Sequence, residues 1–491
     1  MLKKVSFVVV LSSSLVVPSA AAQGERFCAG RVVTIEGTER SERIVGTPRR
    51  DVILALGGDD EVVGRGARDV VCDGAGDDVV AGGAGPDLLT NGDGDDELRG
   101  GPGGDEVGSL ADPSAVARGS DLLSGGDGSD RLYAGSDQED ERYEGGAGSD
   151  HLDLQMLYAP VVVDLEVGSI EGGGHGTVRG IENVTGTGFG DELHGDGGDN
   201  VLDGGLGGGL FGPEYPPGGV SDTLDGRGGD DELDGGGGDD SITGGDGDDL
   251  VIDALGRDSI EGGDGHDVVS TMFGCGPPGE DRCAPPQEAF VGDEILGGEG
   301  DDALTGGLGD DVLRGGLGFD FLSGKDGADR LEGDDDNDRL RGGDGHDTLE
   351  GGAGIDVADF ADAPAAVSVD VGAATVAGGS DDELLSLESV AGSAFGDELL
   401  GSGAANVLEG GDGDDVVRGL GGDDYVDGGD GEDDVFGNEG DDLLTGGLGP
   451  RYIGHNQADG RPDLQNGGPG EDSCFGSEHD ELVDCEGIMV E

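Results

Sequence analysis

Along residues 37–108 one aliphatic residue returns every nine positions, at Ile44, Ile53, Val62, Val71, Val80, Leu89, Leu98 and Val107. Two places before each stands an acid: Glu42, Asp51, Asp60, Asp69, Asp78, Asp87, Asp96 and Asp105. A fixed period of nine is neither the 3.6 of an amphipathic helix nor the simple alternation of a half-buried strand. Self-similarity at a fixed period signals a solenoid. With the acid numbered sixth and the aliphatic eighth, glycine gathers at the first, second and fourth places, as in GGAGPDLLT at 82 and GGDGDDLVI at 244. Those glycines permit a tight turn with positive backbone angles, and the triplet around the aliphatic fits a very short strand. Nine residues then make half a coil, and eighteen return the chain one layer up in a parallel sheet, where layers are ~4.8 Å apart. The expected fold class is all-β: a parallel β-roll (β-helix) solenoid of Gly/Asp-rich nonapeptides in several consecutive arrays, with β-rich non-repeat segments between.

Phasing on the acid divides the chain. The expected order is a signal peptide over 1–22, an N-terminal cap segment 23–36, a first array 37–155, a β-rich start module 156–185 and a second array 186–270. A loop rich in proline and cysteine follows at 271–287, then a third array 288–359, a second β-rich start module 360–391, a fourth array 392–448 and a C-terminal tail or cap 449–491. The two modules look duplicated: 181–205 and 387–411 share 15 identities in 25 positions, among them Phe189 with Phe395 and Asn200 with Asn406. Their bulky residues are expected to cap the open end of a coil.

Composition changes the picture in two ways. The formal net charge is −85 and aromatics are 4% of the chain, so nucleic acid and anionic membranes are repelled and cations attracted. Low hydrophobicity with so large a like-charge excess also describes a disordered chain, which is the expectation for the metal-free state. The start, with Lys3 and Lys4, the apolar run Val5 to Val17 and Ala20-Ala21-Ala22, reads as a secretory signal peptide cleaved before Gln23. The expected location is secreted, in the extracellular space. The cysteines Cys28, Cys72, Cys275, Cys283, Cys474 and Cys485 suit disulfides in that compartment, and proximity favours 28 with 72, 275 with 283 and 474 with 485.

The acids carry the chemistry. Aspartates eighteen residues apart stack on one edge at about the layer spacing. Two carboxylates at that distance repel by about 3.5 kcal/mol at an effective dielectric of 20, and the repulsion recurs along each edge. A calcium ion, ~2.4 Å from each oxygen and asking for six to eight oxygen ligands, fits between layers with turn carbonyls completing the shell; magnesium, with its shorter bonds and strict octahedron, fits poorly. One aliphatic per half coil is a thin core, so metal binding and folding are expected to be one event. The expected ligands are Asp51, Asp60, Asp69, Asp78, Asp87, Asp96 and Asp105 in the first array, and Asp222, Asp231, Asp240, Asp249, Asp258 and Asp267 in the second. Asp293, Asp302, Asp311, Asp320, Asp329, Asp338, Asp347 and Asp356 follow in the third, then Asp415, Asp424, Asp433 and Asp442 in the fourth. If every same-edge pair holds one ion, the ceiling is about 20. Glu42, Asn200 and Asn406 depart from the pattern.

These blocks resemble the hemolysin-type calcium-binding repeats of the RTX family. That resemblance implies that the sixth-place Asp side chain and the turn carbonyls bind Ca2+ and that the eighth-place aliphatic points inward. Members often carry a catalytic domain, but neither HExxH nor GxSxG occurs here, so the zinc-protease and lipase arrangements are missing. His266 and His346 fall at the variable fifth place and read as solvated turn residues. The reading is a secreted calcium-binding protein, not an enzyme, structural or surface-associated, in which Ca2+ couples binding to folding. One alternative is an adhesin or matrix module recognising carbohydrate or another cell through the duplicated segments and inserts; another is a secreted hydrolase or lyase whose site no motif betrays.

Overall fold

The computed structural model describes residues 26–108, 118–135, 140–173, 175–205, 220–253, 256–271, 292–378 and 382–445, and short strands between 464 and 490. The signal-peptide segment, the Pro-rich insert 211–219, and Cys275 and Cys283 lie outside the described residues.

Among the described residues all regular structure is strand, arranged as a parallel β-roll. Successive blocks alternate between two parallel sheets. Val52–Gly57 pairs with Val70–Ala75 and then Leu88–Thr90 in one sheet, while Glu61–Gly66 pairs with Val79–Ala84 and then Glu97–Pro102 in the other. The register is eighteen residues wherever the repeat is unbroken: Ile53 faces Val71 and Val71 faces Leu89, while Val62 faces Val80 and Val80 faces Leu98. Eighth-place aliphatics from both sheets meet in the middle. They form one apolar ribbon from Ile44 to Cys474, with Ile53, Val71, Leu98, Leu233, Leu304 and Leu408 fully buried.

Many strands are longer than the triplet read from sequence. Val52–Gly57 has six residues because pairing continues into the glycine-rich half of the next block, where Leu56 faces Gly74 and Gly57 faces Ala75. Glycine serves two purposes there. At the second and fourth places the backbone is left-handed, as at Gly83 (φ +113°) and Gly85 (φ +122°), a region glycine enters without steric cost. The first-place glycines lack that twist; what they provide is space.

The duplicated modules do not end a coil. Each inserts an antiparallel meander into one sheet: Val162–Asp164 against Ser169–Glu171 in the first, Val367–Asp370 against Thr375–Gly378 in the second. The parallel stack continues past them, since Asp140–Ala147 pairs with His175–Arg179 and Thr348–Ala353 with Glu383–Leu385. It also crosses the 271–287 loop, where Ser259–Asp264 pairs with Glu294–Glu299. Matching register around both hairpins, Val163 with Leu193 and Val369 with Leu399, fits the internal duplication.

At the start, the hairpin of Phe27–Cys28 and Arg31–Val32 lies on the outer surface of one sheet. There Cys28 packs on Val52, Val70 and Leu88, seventh-place residues that elsewhere face solvent. A Cys28–Cys72 disulfide ties it down, and Cys474–Cys485 closes the other end, two of the three pairings that proximity favours.

Candidate metal centre

Each sixth-place aspartate follows a turn and precedes a strand, so its side chain points back under the turn of its own block. All those named as ligands from sequence are buried. Their two oxygens are treated differently. Oδ1 accepts the backbone N–H of the sixth-place residue one layer earlier: Asp51 donates to Asp69 (2.8 Å), Asp69 to Asp87 (2.7 Å) and Asp87 to Asp105 (2.7 Å) on one edge, Asp60 to Asp78 (2.7 Å) and Asp78 to Asp96 (2.8 Å) on the other. The same bonds run from Asp222 and Asp231 through Asp240 and Asp249 to Asp258 and Asp267. They cross the loop to Asp293 and Asp302. In the third array they link Asp293, Asp311, Asp329 and Asp347 on one edge and Asp302, Asp320, Asp338 and Asp356 on the other. In the fourth they join Asp415 to Asp433 and Asp424 to Asp442.

The second oxygen is the informative one. Oδ2 is buried with no hydrogen-bond donor at Asp60, Asp69, Asp78, Asp87, Asp96 and Asp105, at Asp231, Asp240, Asp249 and Asp267, and at Asp302, Asp311, Asp320, Asp329, Asp338, Asp347, Asp356, Asp415 and Asp424. An unsatisfied buried anion is costly unless a cation faces it. These oxygens sit beside first-place glycines and carbonyls of the next layer. A Cβ on Gly64 would lie 2.7 Å from Asp69 Oδ2 and 2.5 Å from the Gly82 carbonyl oxygen; on Gly82, 2.6 Å from Asp87 Oδ2 and 2.9 Å from the Gly100 carbonyl oxygen. Carboxylate and carbonyl oxygens of adjacent layers thus converge where a side chain would otherwise stand.

The electrostatics of the buried carboxyls point the same way. Burial, only partly offset by the N–H bond from the previous layer and reinforced by neighbouring carboxylates, pushes the Asp78 carboxyl up to about 6. Burial with the same N–H offset, and repulsion from Asp130 and Asp87, raises Asp105 to about 7. Asp240 and Asp329 rise to about 8 for the same reasons. Only a bound proton or a cation relieves such groups.

The first rungs are built differently. The Thr47 N–H donates to Asp51 Oδ2 (2.5 Å), and Thr187 and Ser393 do the same for Asp191 and Asp397. At Asn200 and Asn406 the amide oxygen accepts the N–H of Asp196 and Ser402, and the amide nitrogen donates to the carbonyls of Glu182 and Glu388. Glu42 likewise accepts the Thr38 N–H. Glu42, Asn200 and Asn406, which depart from the sequence pattern, thus find their partners within the protein; Asp51, an expected ligand, differs from the interior rungs in having a donor on Oδ2.

One set of residues escaped the sequence reading. Fifth-place side chains form a second, exposed ladder in the opposite sense, each accepting the N–H of the fifth-place residue one layer later. Asp59 accepts from Asp77 (3.2 Å), Asp77 from Asp95 (3.1 Å) and Asp301 from Phe319 (2.8 Å). His266 takes part through Nδ1, which accepts the Asp301 N–H at 2.8 Å. The signal was present in the recurrence of Asp at this place, obscured by its frequent replacement.

The family model of the RTX calcium-binding nonapeptide repeat (four copies) matches residues 36–71, 73–107, 117–138, 178–210, 218–251, 243–274, 292–322, 323–358, 392–426, 400–435 and 418–451, well over half of the chain. The chain belongs to the RTX calcium-binding repeat family. No curated protein matches it closely enough to count as a relative. The donor set suits the family's ion: hard oxygen ligands only, carboxylate and carbonyl, with flexible geometry, favour calcium over softer metals. As an RTX protein this chain binds Ca2+, and the interior sixth-place aspartates together with first-place carbonyls are the oxygens that would hold it. The ion, when bound, supplies positive charge to a row of otherwise uncompensated buried oxygens.

Proposed function

We propose that this is an exported protein that stays unfolded where calcium is scarce and condenses into a rigid β-roll where calcium is plentiful, serving outside the cell as a structural or surface-associated element. The observation that carries the reading is the row of buried Oδ2 atoms without donors. They make the metal-free coil a stack of unrelieved charges on a chain of net charge −85. Extracellular calcium modules bind in the ~0.1–1 mM range, far above intracellular levels, so the switch sits between the two compartments. The N-terminal charged-then-apolar stretch and the two disulfides support export. No helix among the described residues is long and apolar enough to cross a membrane.

Small-angle scattering of the full chain tests the switch. Addition of millimolar calcium to the metal-stripped protein is expected to reduce an expanded coil to a particle of fixed cross-section. A scattering curve indifferent to calcium overturns the proposal. Export is tested separately, by mass spectrometry of protein recovered from the medium, which is expected to begin at Gln23.

A further inference from the structure

Two of the described rungs carry an aspartate in their first place, at Asp73 and Asp253. On the edge carrying Asp60, Asp78 and Asp96, the first-place residues of successive layers are Gly37, Ala55, Asp73 and Asn91, whereas the opposite edge keeps Gly46, Gly64, Gly82 and Gly100. Asp73 therefore brings a carboxylate into the space that glycine elsewhere leaves to the sixth-place oxygens. It is 1% exposed; its Oδ1 accepts the Gly74 N–H (2.6 Å) and its Oδ2 has no donor. One carboxylate oxygen from each of Asp73, Asp78 and Asp96 lies within 4.8 Å of the other two. Asp78 Oδ2 and Asp96 Oδ2 are themselves buried without donors. The same replacement occurs independently at Asp253, fully buried at the first place of its block, and there too Asp240, Asp253 and Asp258 converge within 4.8 Å.

We propose that Asp73 with Asp78 and Asp96, and Asp253 with Asp240 and Asp258, form two three-carboxylate calcium sites that fill before the ordinary rungs and release their ions last. This deepens the reading above and rests on it. Ordinary rungs offer one free carboxylate oxygen per layer and rely on carbonyls. A third carboxylate adds a full negative charge to a rigid oxygen cage, and ligand charge together with rigidity sets calcium affinity in protein sites. Each of the two sites is expected to bind roughly tenfold more tightly than an ordinary rung. The first lies next to Cys72, whose disulfide to Cys28 anchors the N-terminal hairpin, so the earliest ion organises the layers that this cross-link already holds.

Calorimetric titration of the full, metal-stripped chain with calcium decides the matter. The wild type is expected to show a tight phase of two ions ahead of the bulk phase. Asp73→Gly and Asp253→Gly, which restore the common first-place residue, each remove one ion from the tight phase, and the double variant abolishes it while bulk binding remains. Asp73→Asn keeps the shape and removes only the charge, and is expected to weaken that site equally, which guards against a glycine variant that folds poorly. If the double variant or Asp73→Asn titrates like the wild type, the three-carboxylate sites are refuted while the calcium roll stands. If the wild type takes up no calcium, the underlying reading falls with them.

Discussion

At an interior rung the two oxygens of one carboxylate stand apart: Oδ1 accepts the N–H of the layer before, and Oδ2, as at Asp69, Asp87 and Asp249, is buried without a donor. The division makes the rungs unequal in a way that mutation can expose. Asp249→Asn retains an acceptor for the Asp231 N–H but replaces the donorless oxygen, and calorimetry is expected to show a smaller ion count. Asp397→Asn changes an oxygen already bonded to the Ser393 N–H and is expected to leave the count unchanged. Gly64→Ala places a methyl group within 2.7 Å of Asp69 Oδ2 and 2.5 Å of the Gly82 carbonyl. It is expected to cost about 1–3 kcal/mol in denaturant unfolding with calcium present. The sixth and eighth places were legible in the sequence because nearly every block keeps an acid at the one and an aliphatic at the other. Two details were hidden for a physical reason. The exposed fifth-place ladder needs only some acceptor, so Asp, Asn and His266 interchange there. The saturation of Asp51 depends on a backbone N–H, that of Thr47, which leaves no mark on residue type.

At the scale of the strand, stability rests on a core one side chain deep. Leu340 is fully buried between Leu322 and Ala358 of the adjoining layers. Leu340→Ala is expected to cost about 2–5 kcal/mol, measured by urea unfolding at saturating calcium. The nine-residue period predicted which residues face inward and the eighteen-residue register. It did not predict six-residue strands, because glycine's weak strand preference conceals that its backbone still pairs across layers. Nor did it reveal the outer patch at Val52, Val70 and Leu88. These seventh-place residues look like ordinary solvent-facing positions until the Cys28 hairpin is laid on them.

For the whole molecule, what decides folding is uncompensated charge spread along a continuous stack. That the stack continues past the insertions, as where Ser259–Asp264 pairs with Glu294–Glu299, was not legible, because pairing across an insertion is a long-range property that the local pattern does not encode. A pH dependence follows from the raised carboxyls. In the metal-free fold Asp78, Asp105, Asp240 and Asp329 hold their protons up to about 6, 7, 8 and 8, whereas the unfolded chain releases them near 4. The folded state binds more protons over that interval, so metal-free stability is greatest below pH 4 and is lost as pH rises towards 8. Acidified metal-free protein is therefore expected to gain β-structure by circular dichroism. Calcium, which competes with those protons, is expected to bind progressively more weakly as pH falls from 8 to 6.

Far-ultraviolet circular dichroism of the metal-stripped full chain at neutral pH, titrated with calcium and in parallel with magnesium, separates calcium-coupled folding from folding that needs no metal. A disordered spectrum is expected to convert cooperatively to β-structure with calcium and far less with magnesium. A β-spectrum already complete in chelator, and unmoved by calcium, would contradict calcium-coupled folding.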